Sequence, residues 1–260
     1  MFTNFLEYHC GILLSTWSEE NGNGVEGMET EKTAEKFVQN LLLVMPVWNS
    51  KPVSYTHLLA DLLTEKGIAV VRFDFNGHGK SDGSFTDMNV LNEIEDAIAI
   101  LEYVRKLDFV TEIYVIGHSQ GGVVAGMLAG YYPDVIHKLV LLAPAATLKD
   151  DAQKGVCMDA VYDTQHIPDT VCVGGEHVVG GHYFRIAKLL PIYEVTGNYQ
   201  GPALVIHGIH DAVVDASAAV RYQECLKNCR LELMEGIDHG LQGDEYAQMV
   251  KAVVNFLCTE

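Results

Sequence analysis

Five residues, Gly117-His118-Ser119-Gln120-Gly121, most constrain what this chain can fold into. An apolar, β-branched run, Glu112-Ile113-Tyr114-Val115-Ile116, precedes them, and a small-residue stretch of helical character, Gly122 to Ala129, follows. Strand, tight turn and helix in that order are the setting in which a Gly-x-Ser-x-Gly pattern becomes a nucleophile elbow. The glycines let the backbone turn sharply and let strand and helix approach closely. Ser119 is then expected at the tip of the turn with its hydroxyl exposed. The N–H of Gln120 is expected at the helix start, where donors lack intrahelical partners and the dipole favours negative charge. One oxyanion donor is thereby predicted beside the nucleophile. The pentapeptide alone arises by chance in roughly one chain in ten of this length. The weight therefore falls on its context and on partners further along the chain.

That context is an alternation of strands and helices. Leu41 to Met45 reads as a buried strand ending at Pro46. Residues 54–66 read as a helix with Leu58, Leu59, Leu62 and Leu63 on one face, stopped by Gly67. Ile68 to Asp74 is the next strand, and residues 88–107 form a long amphipathic helix presenting Val90, Leu91, Ile94, Ala97, Ile98, Leu101 and Val104. Leu139 to Ala143 and Ala203 to His207 are further strands, followed by a helix at 215–228, a strand at 230–234 and a helix at 244–257. The fold class predicted is α/β, with a mostly parallel, doubly wound sheet. Residues 3–8 and 12–17 are expected to form a hairpin turning at Cys10-Gly11 and to add antiparallel strands at one edge. The acidic, Gly/Asn-rich residues 18–36 are expected to be a mobile surface loop. Residues 145–200 break the alternation with many turn residues and one helix near 182–190. They leave from the C-terminal end of a strand, the ligand side of an open α/β sheet. They are therefore expected to be a lid insertion within one domain spanning 1–260.

Charge and composition narrow the function. The formal net charge of −18 argues against nucleic acid and against anionic membrane surfaces. No apolar stretch approaches the 18 residues of a membrane span, and the N-terminal residues lack a signal pattern, so a cytoplasmic location is expected. The six cysteines are scattered and read as reduced thiols. Gly79-Lys80-Ser81 has the look of a phosphate loop, but Asp74 stands where that pattern needs a glycine, so nucleotide binding is not expected.

Serine is a weak nucleophile at neutral pH and needs a neighbouring base, which needs a carboxylate to fix its tautomer. Two loops downstream, each after a strand, fit the order Ser, Asp, His. Gly208 to Val214 contributes Asp211 as the orienting acid, and Glu235 to Gly240 contributes His239 as the base. Asp215 is expected to begin a helix and Asp238 to form a turn. His207 and His210 flank Asp211 without the helical spacing of a metal site, so no metal and no cofactor are expected. His78 and His118 are read as structural.

Val71 to Gly79, Leu91 to Ala97, Gly117 to Ala125, Leu142 to Thr147 and Leu190 to Glu194 together resemble the bacterial cinnamoyl (feruloyl) esterases of the α/β-hydrolase superfamily. The likeness covers roughly residues 55–260. It implies hydrolysis of feruloyl, caffeoyl, coumaroyl and chlorogenate-type esters through an acyl-enzyme, with Ser119, Asp211 and His239 on the family's triad positions. It also implies a lid that forms the acyl pocket. On the family's pattern Asp151 falls where a lid aspartate holds the substrate's phenolic hydroxyl, and Met158 falls where a glutamine often shares that task. The family's His-Gly-Phe-type turn supplies a second oxyanion N–H. Here Met45-Pro46-Val47 stands at that place, which assigns the donor to Val47 and puts Pro46, with its fixed φ, where the family has glycine. Losing one such donor typically costs about 100- to 1000-fold in turnover. The readings that stay open are a hydroxycinnamate esterase, a general short-chain esterase or lipase-like hydrolase, and a catalytically impaired ligand-binding relative. The expected partner is a small-molecule ester, and a homodimer is left open.

Overall fold

A computed structural model describes residues 13–14, 40–45, 54–79 and 81–259. Most of the expected N-terminal hairpin, the loop 18–36, Cys10, Pro46, Val47 and Lys80 lie outside the described residues. Strands β1 (Leu13–Leu14), β2 (Asn40–Met45), β3 (Ile68–Arg72), β4 (Glu112–His118) and β5 (Ile136–Leu142) come first in the chain. Two short hairpins follow, β6 (Val156–Cys157) with β7 (Ala160–Val161), and β8 (Thr170–Val173) with β9 (His177–Gly180). Strands β10 (Ala203–Gly208) and β11 (Cys229–Met234) complete the set. Among the described residues, seven strands form one sheet in the order β1-β3-β2-β4-β5-β10-β11. Edge strand β1 runs antiparallel to β3, and the other pairings are parallel.

The helices are α1 (Ser54–Thr64), α2 (Val90–Val104), α3 (Gln120–Tyr131), α4 (Leu148–Lys154), α5 (Gly181–Ala187), α6 (Ile192–Thr196), α7 (Ser217–Cys225) and α8 (Tyr246–Cys258). Strand side chains alternate between two cores, as a two-residue period requires. Val71, Val115, Leu139, Leu141 and Val205 face one core, with residues of α2, α3 and α7. Val70, Tyr114, Ile116, Val140, Leu142, Leu204 and Ile206 face the other, with Leu59 and Leu63 of α1 and Met249 and Val253 of α8. Both faces of the sheet are thus covered, which explains why the central strands read as continuous apolar runs.

Parallel pairing also aligns the strand ends. Met45 pairs with Gly117, His118 and Ile206 both pair with Leu142, and Gly208 pairs with Met234. The C-terminal ends of β2, β4, β5, β10 and β11 therefore lie along one edge of the sheet.

Several boundaries differ from the sequence reading. Helix α2 is shorter than 88–107, capped by Asn89, whose side chain accepts from the N–H groups of Leu91 and Asn92. Leu91 is exposed rather than on the buried face, and Glu93 is buried in its place. The positions 90, 93, 94, 97, 100, 101 and 104 follow the helical period more closely than the hydrophobic letters do. The insertion between β5 and β10 holds three short helices and two hairpins where one helix was expected. Helices of five to seven residues carry too few periodic positions to be read. No helix among the described residues is long and apolar enough to cross a membrane. Cys157, Cys172, Cys225, Cys229 and Cys258 are free thiols.

Candidate active site

Ser119 joins β4 to α3 with φ 55° and ψ −124°, a backbone conformation that L-residues rarely adopt. Three backbone bonds hold it there. Its N–H donates to the Leu142 carbonyl at 3.0 Å, and its own carbonyl accepts from Gly122 N at 3.0 Å and Ala145 N at 2.9 Å. The glycines are required by contact. A Cβ on Gly117 would stand 2.1 Å from the Gly121 carbonyl oxygen, and one on Gly122 would stand 2.9 Å from Pro144 Cβ. The turn can form only if strand and helix touch backbone to backbone. Helix α3 is buried from Gln120 to Gly130, so its N-terminal dipole acts in a poorly screened setting. The Gln120 N–H is the first of that helix and has no intrahelical acceptor.

The structure brings Ser119, His239 and Asp211 together. His239 Nε2 lies 3.0 Å from Ser119 Oγ, and His239 Nδ1 donates to Asp211 Oδ2 at 2.8 Å. Because a carboxylate only accepts, Nδ1 carries the proton and Nε2 presents its lone pair to the serine hydroxyl. Asp211 has a fully buried side chain. Its Oδ1 accepts from Val213 N at 2.8 Å and Val214 N at 2.9 Å, and His207 Nε2 stands 3.3 Å from Oδ2. Burial alone would push this carboxyl up. Hydrogen bonds from His207, His239 and Val214 N outweigh it and hold the group well below the usual carboxylate range. Asp215 and Asp238 do other work: Asp215 Oδ1 accepts from Ser217 N and Asp238 Oδ1 from Gln242 N, each fixing local backbone.

Two buried histidines beside these residues, and the side chain of Gln120 as distinct from its N–H, were given no functional role from sequence. His207 donates from Nε2 to the Val214 carbonyl at 2.9 Å, so the same N–H also points toward Asp211. His118, inside the pentapeptide, donates from Nε2 to the His239 carbonyl at 2.7 Å and thereby ties the base loop to β4. Burial holds the His118 imidazole down to about 3, so it is neutral. Gln120 turns its side chain inward, donating from Nε2 to Glu93 Oε2 at 2.8 Å and accepting from the Tyr183 hydroxyl at 2.8 Å. The helical period of α2 was the one signal for Glu93; nothing in the sequence pointed to Tyr183.

Asp151 sits in α4, partly buried. Its carboxylate is among the nearby charges that, after burial itself, push the hydroxyl of Tyr162 and the thiol of Cys157 up to about 12. Met158 occupies the β6–β7 turn with φ 52° and is 61% exposed. Val47 lies outside the described residues. Among those described, no three His, Cys, Asp or Glu side chains converge as a metal site would require, and His210 is exposed.

A family model described as serine aminopeptidase, S33 (Hydrolase_4) matches residues 39–167, a span that includes Ser119 and ends before Asp211 and His239. The human serine hydrolase BPHL is 26% identical over 207 residues, covering 73% of this chain and 70% of that protein. Human monoacylglycerol lipase ABHD6 is 24% identical over 236 residues, covering 75% and 68%. The structure of Est1E from Butyrivibrio proteoclasticus with bound ferulic acid superposes with a TM-score of 0.82 at 29% identity, covering 95% of this chain and 94% of that one. The chain has the α/β-hydrolase fold and is a serine hydrolase of the esterase/lipase type.

Proposed function

We propose that this serine hydrolase cleaves esters of hydroxycinnamic acids. The observation that carries the chemistry is the hydrogen-bonded series Ser119, His239, Asp211 at the N-terminus of a buried helix. The substrate class is supported by the motifs shared with cinnamoyl esterases and by the likeness to a protein whose structure holds ferulic acid. In this reading Ser119 Oγ attacks the ester carbonyl while His239 Nε2 takes its proton. Asp211 stabilises the imidazolium that results. The developing oxyanion is held by the N–H of Gln120 and by that of Val47, two residues beyond the end of β2. His239 then gives its proton to the departing alcohol, and a water repeats the sequence on the acyl-enzyme, restoring Ser119. Asp151 receives the phenolic hydroxyl of the acyl group, and the insertion between β5 and β10 serves as the lid.

The test compares kcat/KM for methyl ferulate, nitrophenyl butyrate and a monoacylglycerol, each with the wild type and with Ser119→Ala. Preference for methyl ferulate with no turnover by the variant is the expected result. Preference for either of the others favours a general esterase or lipase, a reading supported by the likeness to a monoacylglycerol lipase. Turnover of none of the three identifies a ligand-binding relative.

A further inference from the structure

The buried side of Gln120 is built as carefully as the side that faces Ser119. Glu93, on α2, is 2% exposed, and among the described residues the cationic group recorded against it is the imidazole of His78. Its Oε2 accepts from Gln120 Nε2 at 2.8 Å. Its Oε1 stands 3.7 Å from His78 Nε2. His78 is also buried, and its Nδ1 lies 3.1 Å from the Asn76 carbonyl, so Nδ1 must be the donor there. In a neutral imidazole that leaves Nε2 as an acceptor, and among the described residues this nitrogen has no hydrogen-bond donor. At 3.7 Å the two atoms fall short of a hydrogen bond, and the proton that would join them by a small side-chain shift is one carried on Glu93 Oε1. On the far side of Gln120, Oε1 accepts from the hydroxyl of Tyr183, which belongs to the insertion.

We propose that Glu93 is a positioning residue for hydrolysis: held as a neutral acid between His78 and Gln120, it fixes the residue that carries the oxyanion N–H and links it, through Tyr183, to the insertion over the sheet edge. The proposal rests on the reading of Ser119 as nucleophile and Gln120 N–H as oxyanion donor.

The titratable groups facing Glu93 are His78 on the loop after β3, Tyr183 on α5 and Asp96 one turn further along α2, while Asp74 acts on His78. Burial pushes the Glu93 carboxyl up to about 8, with the charge of Asp96 adding and the Gln120 hydrogen bond opposing. Burial also holds His78 below its ordinary value, against its bond to Asn76 and the charge of Asp74. Both directions describe a neutral pair with one proton between them. When Glu93 ionises, a negative charge appears one glutamine side chain and one hydrogen bond from the place where the oxyanion forms. That charge opposes the transition state in a water-poor setting.

Glu93→Gln separates this role from simple packing. A glutamine there supplies one acceptor for Gln120 Nε2 and N–H donors for His78 Nε2, so it copies the protonated acid at every pH. The experiment is the pH dependence of kcat for nitrophenyl butyrate between pH 6 and 9.5 in the wild type, Glu93→Gln, Glu93→Ala and Ser119→Ala, with folding checked by near-UV circular dichroism. Wild-type kcat is expected to fall roughly 10- to 100-fold through an apparent pKa of about 8. In Glu93→Gln that fall should be absent. Glu93→Ala should lose kcat by roughly 10-fold or more at neutral pH, with a much smaller change in KM. An unchanged alkaline fall in Glu93→Gln, or a flat wild-type profile, overturns the proposal. If Glu93→Ala does not fold, the Glu93→Gln profile decides alone. Activity surviving in Ser119→Ala would instead refute the underlying reading of the nucleophile, so the two failures are told apart.

Discussion

Asp211→Asn changes few atoms at the site and has a large expected consequence. The native carboxylate receives four donors: Val213 N and Val214 N on Oδ1, His239 Nδ1 on Oδ2, and the more distant His207 Nε2. An asparagine must keep its single oxygen toward the two backbone amides, because an NH2 group there would face two N–H donors. Its NH2 then points at His239 and His207. His207 cannot respond, since its Nε2 proton is already committed to the Val214 carbonyl. His239 can, by moving its proton from Nδ1 to Nε2. The lone pair that faced Ser119 Oγ at 3.0 Å becomes an N–H, and the serine loses the base that would take its proton. The same exchange in a serine protease triad, with geometry intact, lowers kcat by about 10⁴, or about 5 kcal/mol of transition-state stabilisation. A comparable loss is expected here, in kcat and not in KM. The donor facing His207 should also cost about 1–3 kcal/mol of fold stability. Steady-state kinetics on nitrophenyl butyrate and urea unfolding measure both. A kcat loss under about tenfold, or a larger loss in Asp215→Asn or Asp238→Asn, would refute the tautomer argument and the choice of acid.

Four further outcomes follow from the packing and the titrations. An unfolded chain releases the Glu93 proton near 4.5, whereas the folded protein keeps it to about 8, so the stabilisation this group contributes at low pH is lost across that window and is flat above it. Urea melts of the wild type should therefore weaken from pH 5 to pH 8 by a few kcal/mol relative to Glu93→Gln, and parallel curves would show that Glu93 is already ionised. His207→Ala removes the donor to the Val214 carbonyl and leaves a cavity beside Val214 of the first core; unfolding should show a loss of about 2–4 kcal/mol. Gly117→Ala drives a Cβ to 2.1 Å from the Gly121 oxygen and 2.7 Å from Ala125 Cβ, so both melting temperature and turnover should drop; a variant with native activity would mean that the elbow tolerates a wider approach. Asp151→Ala should reduce kcat/KM for methyl ferulate by roughly 5- to 150-fold while costing nitrophenyl acetate far less; equal losses on both would assign Asp151 to the fold of the insertion.

The fold was legible because its signals are local and repeated. Five central strands announced themselves as apolar runs, and parallel pairing followed from the helices between them. Ser119, Asp211 and His239 were each readable from a loop placed after a strand, although nothing in one dimension measures the distances among them. Those distances come from register: Met45 with Gly117, Leu142 with His118 and Ile206, and Gly208 with Met234 bring the loops to one edge.

What only the tertiary structure decided is the surroundings of the site. Glu93 looks like a solvated helix charge until α2 is packed against α3, where its position in the helical period buries it. Leu91 looks like core and is exposed, because the letter suggests burial but the angle around the helix decides it. His207 looks like a strand end and proves to stand against the buried carboxylate. The short helices of the insertion have too few residues for a period to show, and they exist because the core beneath them gives them something to cover. Sequence determined the order of elements and singled out Ser119, Asp211 and His239 as candidates, since both are written in backbone preference and side-chain chemistry. Burial and the neighbours of each titratable group depend on what lies across space, and those were settled by the packing of helices that are distant along the chain.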